Sequence, residues 1–539
     1  MATVEAEKSA TGAAGLVLIT LCSAQFLMAL DSSVMNVSIA QVAQDVGTTV
    51  TGVQTAITLY TLVMATLMIT GGKIGTNIGR RRAFSIGCAI YALGSLTTAL
   101  APTLTWLIIG WSLLEGIGAA LIMPAVVALV ATNVPASGRA KAYGLVASAA
   151  AIAVAVGPIL GGLVTTYASW RWVFVGEVVV AVVILTLARR MVDAKPAQTT
   201  RLDFVGTILS ILGLGMAVLG ILKSSEWGWI RPNVGAASLF GVSATFWLIV
   251  AGLLVVWLFL MWESRLQKRG GDPLLKPTIL RNSQLAGGLT LFFFQFLLQS
   301  GVFFIVPLFL SVVLEMDALQ TGLRLLPLSI ALLVAAAGIP RFWPRASPRR
   351  FVRIGILMLL AGILVLMAGV DLDAPASVVA IPMLLVGLGI GSLASQLGAV
   401  TVSSVPDSES GEVGGLQNTA SNLGASVGTA LAGSVLIAAL SASFLSGIEQ
   451  NPAVPDSVTS QASVQLASGV PFISDTTLQE NLAKAGASPE VSNAVVDANR
   501  TARIEGLDSA LAVLALISLI PLFFTRRIPT SQPGSSAAA

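Results

Sequence analysis

Apolar stretches of membrane-crossing length recur along almost the whole chain, separated by short polar breaks. A bilayer core needs about 20 apolar residues per helix. Fourteen runs approach that length. Six come first: Leu16–Ile39, Val53–Gly72, Ala83–Leu100, Trp106–Val130, Tyr143–Val164 and Trp172–Leu187. Two follow a charged loop, Val205–Leu222 and Ala237–Met261. Six more close the chain: Gly287–Val313, Leu323–Gly338, Val352–Val370, Val378–Leu397, Gly415–Phe444 and Leu507–Phe524. The pattern predicts an all-α polytopic membrane protein with fourteen transmembrane helices in a 6+2+6 order.

The basic residues orient this layout. With the N-terminus in the cytoplasm, only Arg171, Lys223, Arg231, Arg324, Lys484, Arg500 and Arg503 fall outside, and the other 23 of the 30 fall inside. Cytoplasmic loops collect Lys and Arg, so count and orientation support each other. Both termini are then cytoplasmic. One inside segment breaks the pattern, since Ser403–Glu412 carries only acids. A weak echo relates the halves: the segments after the second helix of each, Gly72–Arg82 and Gly338–Arg353, are both basic. Transporters build alternating access from such repeats. The expected divisions are a first bundle at 1–190, an inserted pair with linkers at 191–285, and a second bundle at 286–528. A long external loop at 446–506 and a disordered tail at 529–539 complete them.

Composition narrows the function. Of the 539 residues 55% are hydrophobic and 10% charged, with a mean hydropathy of +0.87. Soluble proteins carry about 25% charged residues. The net charge of +4 reflects the inside loops, so nucleic acid is not an expected partner. Glu5, Glu7 and Lys8 precede the first run, which is unlike a secretory leader. Cys22 and Cys88 lie in apolar runs and suggest neither a disulfide nor a metal site. There is no histidine and no GxxxxGK phosphate loop. No cofactor, metal or enzymatic activity is expected, and any proton relay must use carboxylates.

Three acids lie inside spans. Asp31 is in the first run, Glu115 in the fourth and Glu177 in the outer half of the sixth. A charged side chain in a bilayer core costs about 2.5–3.5 kcal/mol or more. Each acid must therefore be protonated, paired or wet. Either a structural hydrogen bond or a proton-carrying role satisfies that condition, and Glu177 fits both equally. In the ninth run Gln295 and Gln299 are four apart, on one helix face, among Phe292, Phe293, Phe294 and Phe296. Such a set suits a lipophilic ligand, and also a lipid-facing surface.

The motifs resemble the major facilitator superfamily, in particular its fourteen-helix drug:proton antiporter branch. Ala153-x-x-x-Gly157-Pro158-Ile159-Leu160-Gly161-Gly162 is similar to the antiporter motif GxxxGPxxGG, with Ala153 in place of the first Gly. Small residues spaced by four let helices approach closely, and Pro158 removes a backbone donor. Trp170-Arg171-Trp172-x-Phe174 follows. Leu30-Asp31-Ser32-Ser33-Val34-Met35-Asn36-Val37 resembles the signature LDxTVxNVA. Gly72-Lys73-Ile74-Gly75-Thr76-Asn77-Ile78-Gly79-Arg80-Arg81 resembles the gating motif GxLADRxGRR, with Thr76 at its Asp and Asn77 at its Arg.

The resemblance implies two six-helix bundles around a cavity and a proton-coupled exporter of small amphiphilic compounds. It places such a protein in a bacterial cytoplasmic membrane, working as a monomer. Asp31, Glu115 and Glu177 would couple protons. Asn36, Gln295, Gln299, Phe292 and Phe296 would line the cavity. Gly72, Thr76, Gly79, Arg80 and Arg81 would form the cytoplasmic gate, the arginines pairing with acids across it. The chain departs from the pattern where an Arg-x-x-Gln-Gly run becomes Ser112-Leu113-Leu114-Glu115-Gly116, and where the Asn after Trp-Arg-Trp becomes Glu177. Thr76 offers only a neutral bond, so a weak inner gate is expected. Two acids without the Arg imply cationic or zwitterionic substrates. Uptake, lipid transport and a non-transporting sensor are the rival roles. The orientation predicts that an impermeant thiol reagent on intact cells labels Ser460→Cys but not Ser535→Cys. The reverse pattern would overturn it.

Overall fold

The computed structural model describes residues 2–48, 50–193, 202–232, 235–316, 318–372, 374–406, 409–451, 454 and 474–532. Most of the external loop, at 455–473, and the tail from 533 lie outside the described residues.

Each of the fourteen apolar runs contains a helix, although Ala237–Met261 becomes helical only at Ala244. The first bundle holds α1 (Ala2–Asp45), α2 (Val50–Ile78), α3 (Arg80–Ala99), α4 (Leu104–Asn133), α5 (Ala136–Tyr167) and α6 (Arg171–Ala188). The inserted pair is α7 (Phe204–Trp227) and α8 (Ala244–Lys268). The second bundle begins with α9 (Ser283–Val313), α10 (Ala318–Phe342), α11 (Pro348–Gly369), α12 (Ala380–Val402) and α13 (Ser410–Glu449). After the short α14 (Asp475–Lys484), α15 (Pro489–Ser518) completes it and a further turn, Ile520–Phe524, continues its line. Among the described residues, 13 helices are long and apolar enough to cross a membrane. The expected fourteenth is α3, whose 20 residues begin with Arg80, Arg81 and Arg82 and include several hydroxyls. It nonetheless packs along α4 and α6 with its mid-helix Phe84 and Tyr91 fully buried.

Helix ends follow local chemistry. Gly79 takes a φ of 101° between α2 and α3, a conformation only glycine adopts without strain. A side chain there would also meet the Asp193 carboxylate, which accepts the Arg81 N–H. Asp203 caps α7 by accepting from Val205 N, and Asn282 caps α9 by accepting from Gln284 and Leu285 N. Between α7 and α8, β1 (Ser238–Leu239) and β2 (Val242–Ser243) pair antiparallel. Phe240 and Gly241, both at positive φ, make the turn.

Two large apolar clusters form the interior, the first extending from the first bundle to Phe259, Leu285, Ala399 and Val413. One is built on Leu21, Phe84, Leu129 and Ile184, the other on Leu298, Phe309, Ile356, Leu397 and Leu511. The outer faces stay apolar and exposed, for instance Val179 and Val183 on α6, Leu253 and Trp257 on α8, and Ile330 and Val334 on α10. Such a surface suits lipid, not water. The inserted pair leans on both bundles: α7 packs on α2 and α13, and Trp229 Nε1 donates to Ser434 Oγ of α13 at 2.8 Å.

The bundles meet closely at the end that carries the basic loops. A Cβ on Gly72 would sit 2.6 Å from Gly411 O, and one on Gly144 would sit 2.3 Å from Ala336 O. Gly414 packs on Pro124 and Gly398 on Tyr143. Lys73 Nζ and Glu412 Oε1 form an ion pair at 3.4 Å across α2 and α13, with both side chains buried. Nearby Lys276 pairs with Glu409 at 2.6 Å, and that hydrogen bond lifts its ammonium above the usual lysine range. The acidic segment that broke the charge pattern thus holds two lysines. This end is closed, although a weak gate was expected of Thr76. The closure comes from glycine contacts and the Lys73–Glu412 pair, neither of which needs the missing Asp.

Removing one partner of a buried ion pair costs about 3–5 kcal/mol. Lys73→Ala is therefore expected to loosen this end. A Thr76→Cys probe in purified protein should react with maleimide at least several-fold faster in the Lys73→Ala background. An unchanged rate would show that the glycine contacts alone hold it.

Candidate functional site

Asp31, Glu115 and Glu177 come together inside the first bundle. Their exposures are 0, 0 and 2%. Each offers a carboxylate oxygen, and these oxygens all lie within 4.8 Å of one another. Four helices bring them there. Asp31 comes from α1, Glu115 from α4 and Glu177 from α6, while Ser95 and Thr98 come from α3. Among the described residues no Lys or Arg pairs with any of the three.

Neutral donors surround the three acids. Trp111 Nε1 donates to both oxygens of Asp31, at 2.8 and 2.9 Å, which suits an ionised acceptor. The Trp111 ring stacks on Tyr60 of α2, with centroids 5.0 Å apart and planes 5° off parallel. Ser95 Oγ donates to Glu177 Oε2 at 3.2 Å. Thr98 Oγ1 lies 2.9 Å from Gly94 O and 3.2 Å from Glu115 Oε1. Its one proton can be donated to either oxygen. Glu115 Oε2 and Glu177 Oε1 are buried without a partner. Three ionised carboxylates so close in low dielectric would repel strongly, so the cluster must hold protons or a cation.

The backbone makes room for this cluster. Residues Ile108–Glu115 form a π-helical stretch within α4, a feature frequent at functional sites. It turns Trp111 toward α1 and Glu115 toward α3. Gly94 and Gly110 let α3 and α4 approach, and a Cβ on Gly94 would lie 2.5 Å from Glu115 Cγ. Ser112, at the position where the resemblance expects Arg, donates instead to Ala56 O at 2.7 Å.

The antiporter-like segment of α5 seats the helix that carries Asp31. A Cβ on Gly157 would lie 2.3 Å from Ser33 Oγ, and one on Gly161 3.1 Å from Val34 Cγ1. Ser33 Oγ donates to Val154 O, and Ser38 and Thr165 share a 2.8 Å hydrogen bond further along. Gly162 faces open space. The side chains of Asn36 and Pro158 lie outside the described residues.

The other expected residues are spread more widely. Gln295 is buried with its Oε1 unpartnered, and Gln299 and Phe296 are half-buried. Phe292 packs against the second core, and Phe294 stacks on Phe524. Arg80 donates to Ala128 O and Thr132, and Arg81 to Arg189 O and Met191 O, all within the first bundle or its edge. Arg189 O and Met191 O lie just past the end of α6, where carbonyls lack helical partners. The crossing charge is Lys73, which the sequence reading passed over; the purely acidic segment ending at Glu412 was the available signal. Trp111 was also missed, although it lies one helical turn before Glu115.

Comparison with known proteins agrees with this architecture. The model of the Major Facilitator Superfamily matches residues 21–230 and 202–429. The puromycin resistance protein of Streptomyces alboniger is 30% identical over 442 residues, covering 81% of this chain and 84% of that protein. The multidrug resistance protein Stp of Mycobacterium tuberculosis is 27% identical over 82% of this chain and 79% of its own. The tetracenomycin C resistance and export protein of Streptomyces glaucescens is 28% identical over 77% and 74%. Among solved structures, the human organic anion transporter MFSD10 aligns with a TM-score of 0.55 at 14% identity, over 96% of this chain and 98% of its own. A multi-pass transporter of small molecules is thereby defined. The chain belongs to the major facilitator superfamily, with drug resistance and export proteins among its relatives.

Close packing at Gly157 and open space at Gly162 predict opposite outcomes for one substitution. Gly157→Ala should destabilise the α1–α5 contact by about 1–3 kcal/mol. Gly162→Ala should leave stability unchanged or slightly raised. Thermal unfolding of the purified protein in detergent checks the contrast.

Proposed function

We propose that this protein exports small amphiphilic, drug-like compounds across the bacterial cytoplasmic membrane in exchange for protons, with both termini in the cytoplasm. The observation that carries the reading is the enclosed cluster of Asp31, Glu115 and Glu177 with no cationic partner. Such a cluster is stable only with protons or a cation bound, so its occupancy must change with the side from which it is reached. The relatives named for puromycin, tetracenomycin C and multidrug resistance support export as the direction.

The mechanism follows from the packing. Closure at the basic end, here taken as cytoplasmic, leaves the opposite end as the route by which protons enter. Protonation neutralises Asp31 and weakens its hold on the Trp111 indole, which is braced on Tyr60 of α2. Asp31 also sits two and three residues before Ser33 and Val34, the α1 residues seated on Gly157 and Gly161 of α5. Helix α5 in turn meets α10 of the second bundle at Gly144 and Ala336. A change at Asp31 therefore has a packed route to the joint between bundles. Loss of the Gly72–Gly411 contact and the Lys73–Glu412 pair would then open the cytoplasmic end.

Substrate is expected between the bundles, near Gln295 and Gln299. With the three acids enclosed, a cationic or zwitterionic compound would act on them through the field across α1 and α4, without direct contact. Proton binding and drug binding then compete at a distance.

Proteoliposomes with an imposed pH gradient test this reading, with puromycin and a lipophilic fluorescent cation as probes. Wild-type protein should move at least one probe against its gradient, and collapsing the pH gradient should stop it. Asp31→Asn should abolish the driven flux. Glu115→Gln should reduce it more for the cation than for a neutral compound. Driven export by Asp31→Asn at the wild-type rate would refute the assignment of Asp31.

A further inference from the structure

The carboxyl cluster has the donor set of a metal-cation site as well as a proton site. We propose that Asp31, Glu115 and Glu177 bind one sodium-sized cation in competition with a proton, so that a sodium gradient also drives this transporter. This rests on the reading of the cluster as the ion-coupling site and goes beyond it in naming a second coupling ion.

Two observations besides the acids support it. The Tyr91 hydroxyl of α3 is fully buried and faces Asp31 without closing a hydrogen bond of normal geometry. Glu115 Oε2 and Glu177 Oε1 are likewise buried with nothing to bond. Buried polar groups are normally satisfied, and exceptions call for an unseen ion or water. Counting Ser95 Oγ and Thr98 Oγ1, the enclosure offers neutral and anionic oxygens and no nitrogen base. That is the preference of hard cations. Such ions hold oxygens at about 2.3–2.6 Å, so oxygens around one ion lie within about 5 Å of each other. The carboxylate oxygens here lie within 4.8 Å.

Charge balance favours a monovalent ion. The titratable groups facing the site are Asp31 on α1, Tyr60 on α2, Tyr91 on α3, Glu115 on α4 and Glu177 on α6. Asp31, which accepts the Trp111 N–H on both oxygens, is the carboxyl best placed to carry a charge. Like charges this close favour a single ionised carboxylate, and with the other two carboxyls and both tyrosines neutral one negative charge remains. One proton or one sodium ion cancels it. A divalent ion would need a second carboxylate to ionise in the same enclosure. The exchange is balanced: one cation enters as one proton leaves, and the site's charge is unchanged.

Binding of radioactive sodium to the purified full chain in detergent, by scintillation proximity, tests the proposal. Choline chloride keeps the ionic strength constant. Saturable binding at pH 8 is expected, displaced by unlabelled sodium and not by potassium or choline. Half-saturation should rise about tenfold for each unit the pH falls, the sign of one-for-one competition. Asp31→Asn should abolish binding. Should that variant fail to fold, Glu177→Gln, which keeps size and an acceptor for Ser95, should weaken binding at least tenfold. No saturable binding at pH 8, or displacement by calcium at lower concentration than by sodium, would overturn the proposal. The two readings fail separately. Absent sodium binding with intact pH-driven export refutes only this inference. Sodium binding and sodium-driven export without any pH-driven export refute the proton reading alone.

Discussion

Three carboxyls share one buried enclosure with no Lys or Arg paired to them among the described residues, and much of the first bundle is arranged around that constraint. A buried ion normally finds a counter-ion or loses its charge. Here the surroundings supply single hydrogen bonds: an indole to Asp31, one hydroxyl to Glu177 and one to Glu115. The enclosure needs Gly94 and Gly110 for its width and the π-helical stretch of α4 for its side-chain directions. It also needs α1 held in place, which Gly157 and Gly161 of α5 do. Asp31 has both oxygens bonded by the indole, whereas Glu115 and Glu177 each keep one buried oxygen without a partner.

The joint between the bundles obeys a different logic. It is made by small residues and backbone contacts, which tolerate being broken and remade because they bury few polar groups. The Lys73–Glu412 pair is the exception. It is buried, and it lies beside Thr76, where the superfamily pattern has an acid. The base of this pair lies on α2 and the acid on α13. Since α2 and α13 also carry the inserted helix pair through α7, whatever separates them must carry or shed α7 and α8 as well.

At the opposite end, α14 is tied down by charge. Asp475 pairs with Arg500 and with the buried Arg503, and Thr476 donates to Glu315 after α9, holding that carboxylate below its usual range. Arg503 also donates to Val312 O at the π-turn that ends α9. The described part of the long loop before α15 is thus docked on the second bundle.

Periodic apolar runs and the distribution of Lys and Arg were enough to read the helical layout, because lipid leaves a spanning chain few alternatives to a helix. Only α3 blurred it: its charged start and its hydroxyls lower its hydropathy, and two of those hydroxyls, Ser95 and Thr98, face the acids. The residue types of the site were legible too, since an acid in an apolar run is costly wherever it sits. Their meeting was not. Asp31, Glu115 and Glu177 are separated by 84 and 62 positions, and only the packing of α1, α3, α4 and α6 makes them one group. The same holds for Lys73 and Glu412, each an ordinary loop-end charge in sequence, and for Arg80 and Arg81, which donate to carbonyls within the first bundle or at its edge. Sequence fixes which groups need partners, through solvation. Tertiary structure decides which partners they find, because helices far apart in the chain are brought within hydrogen-bond range only when the bundle closes.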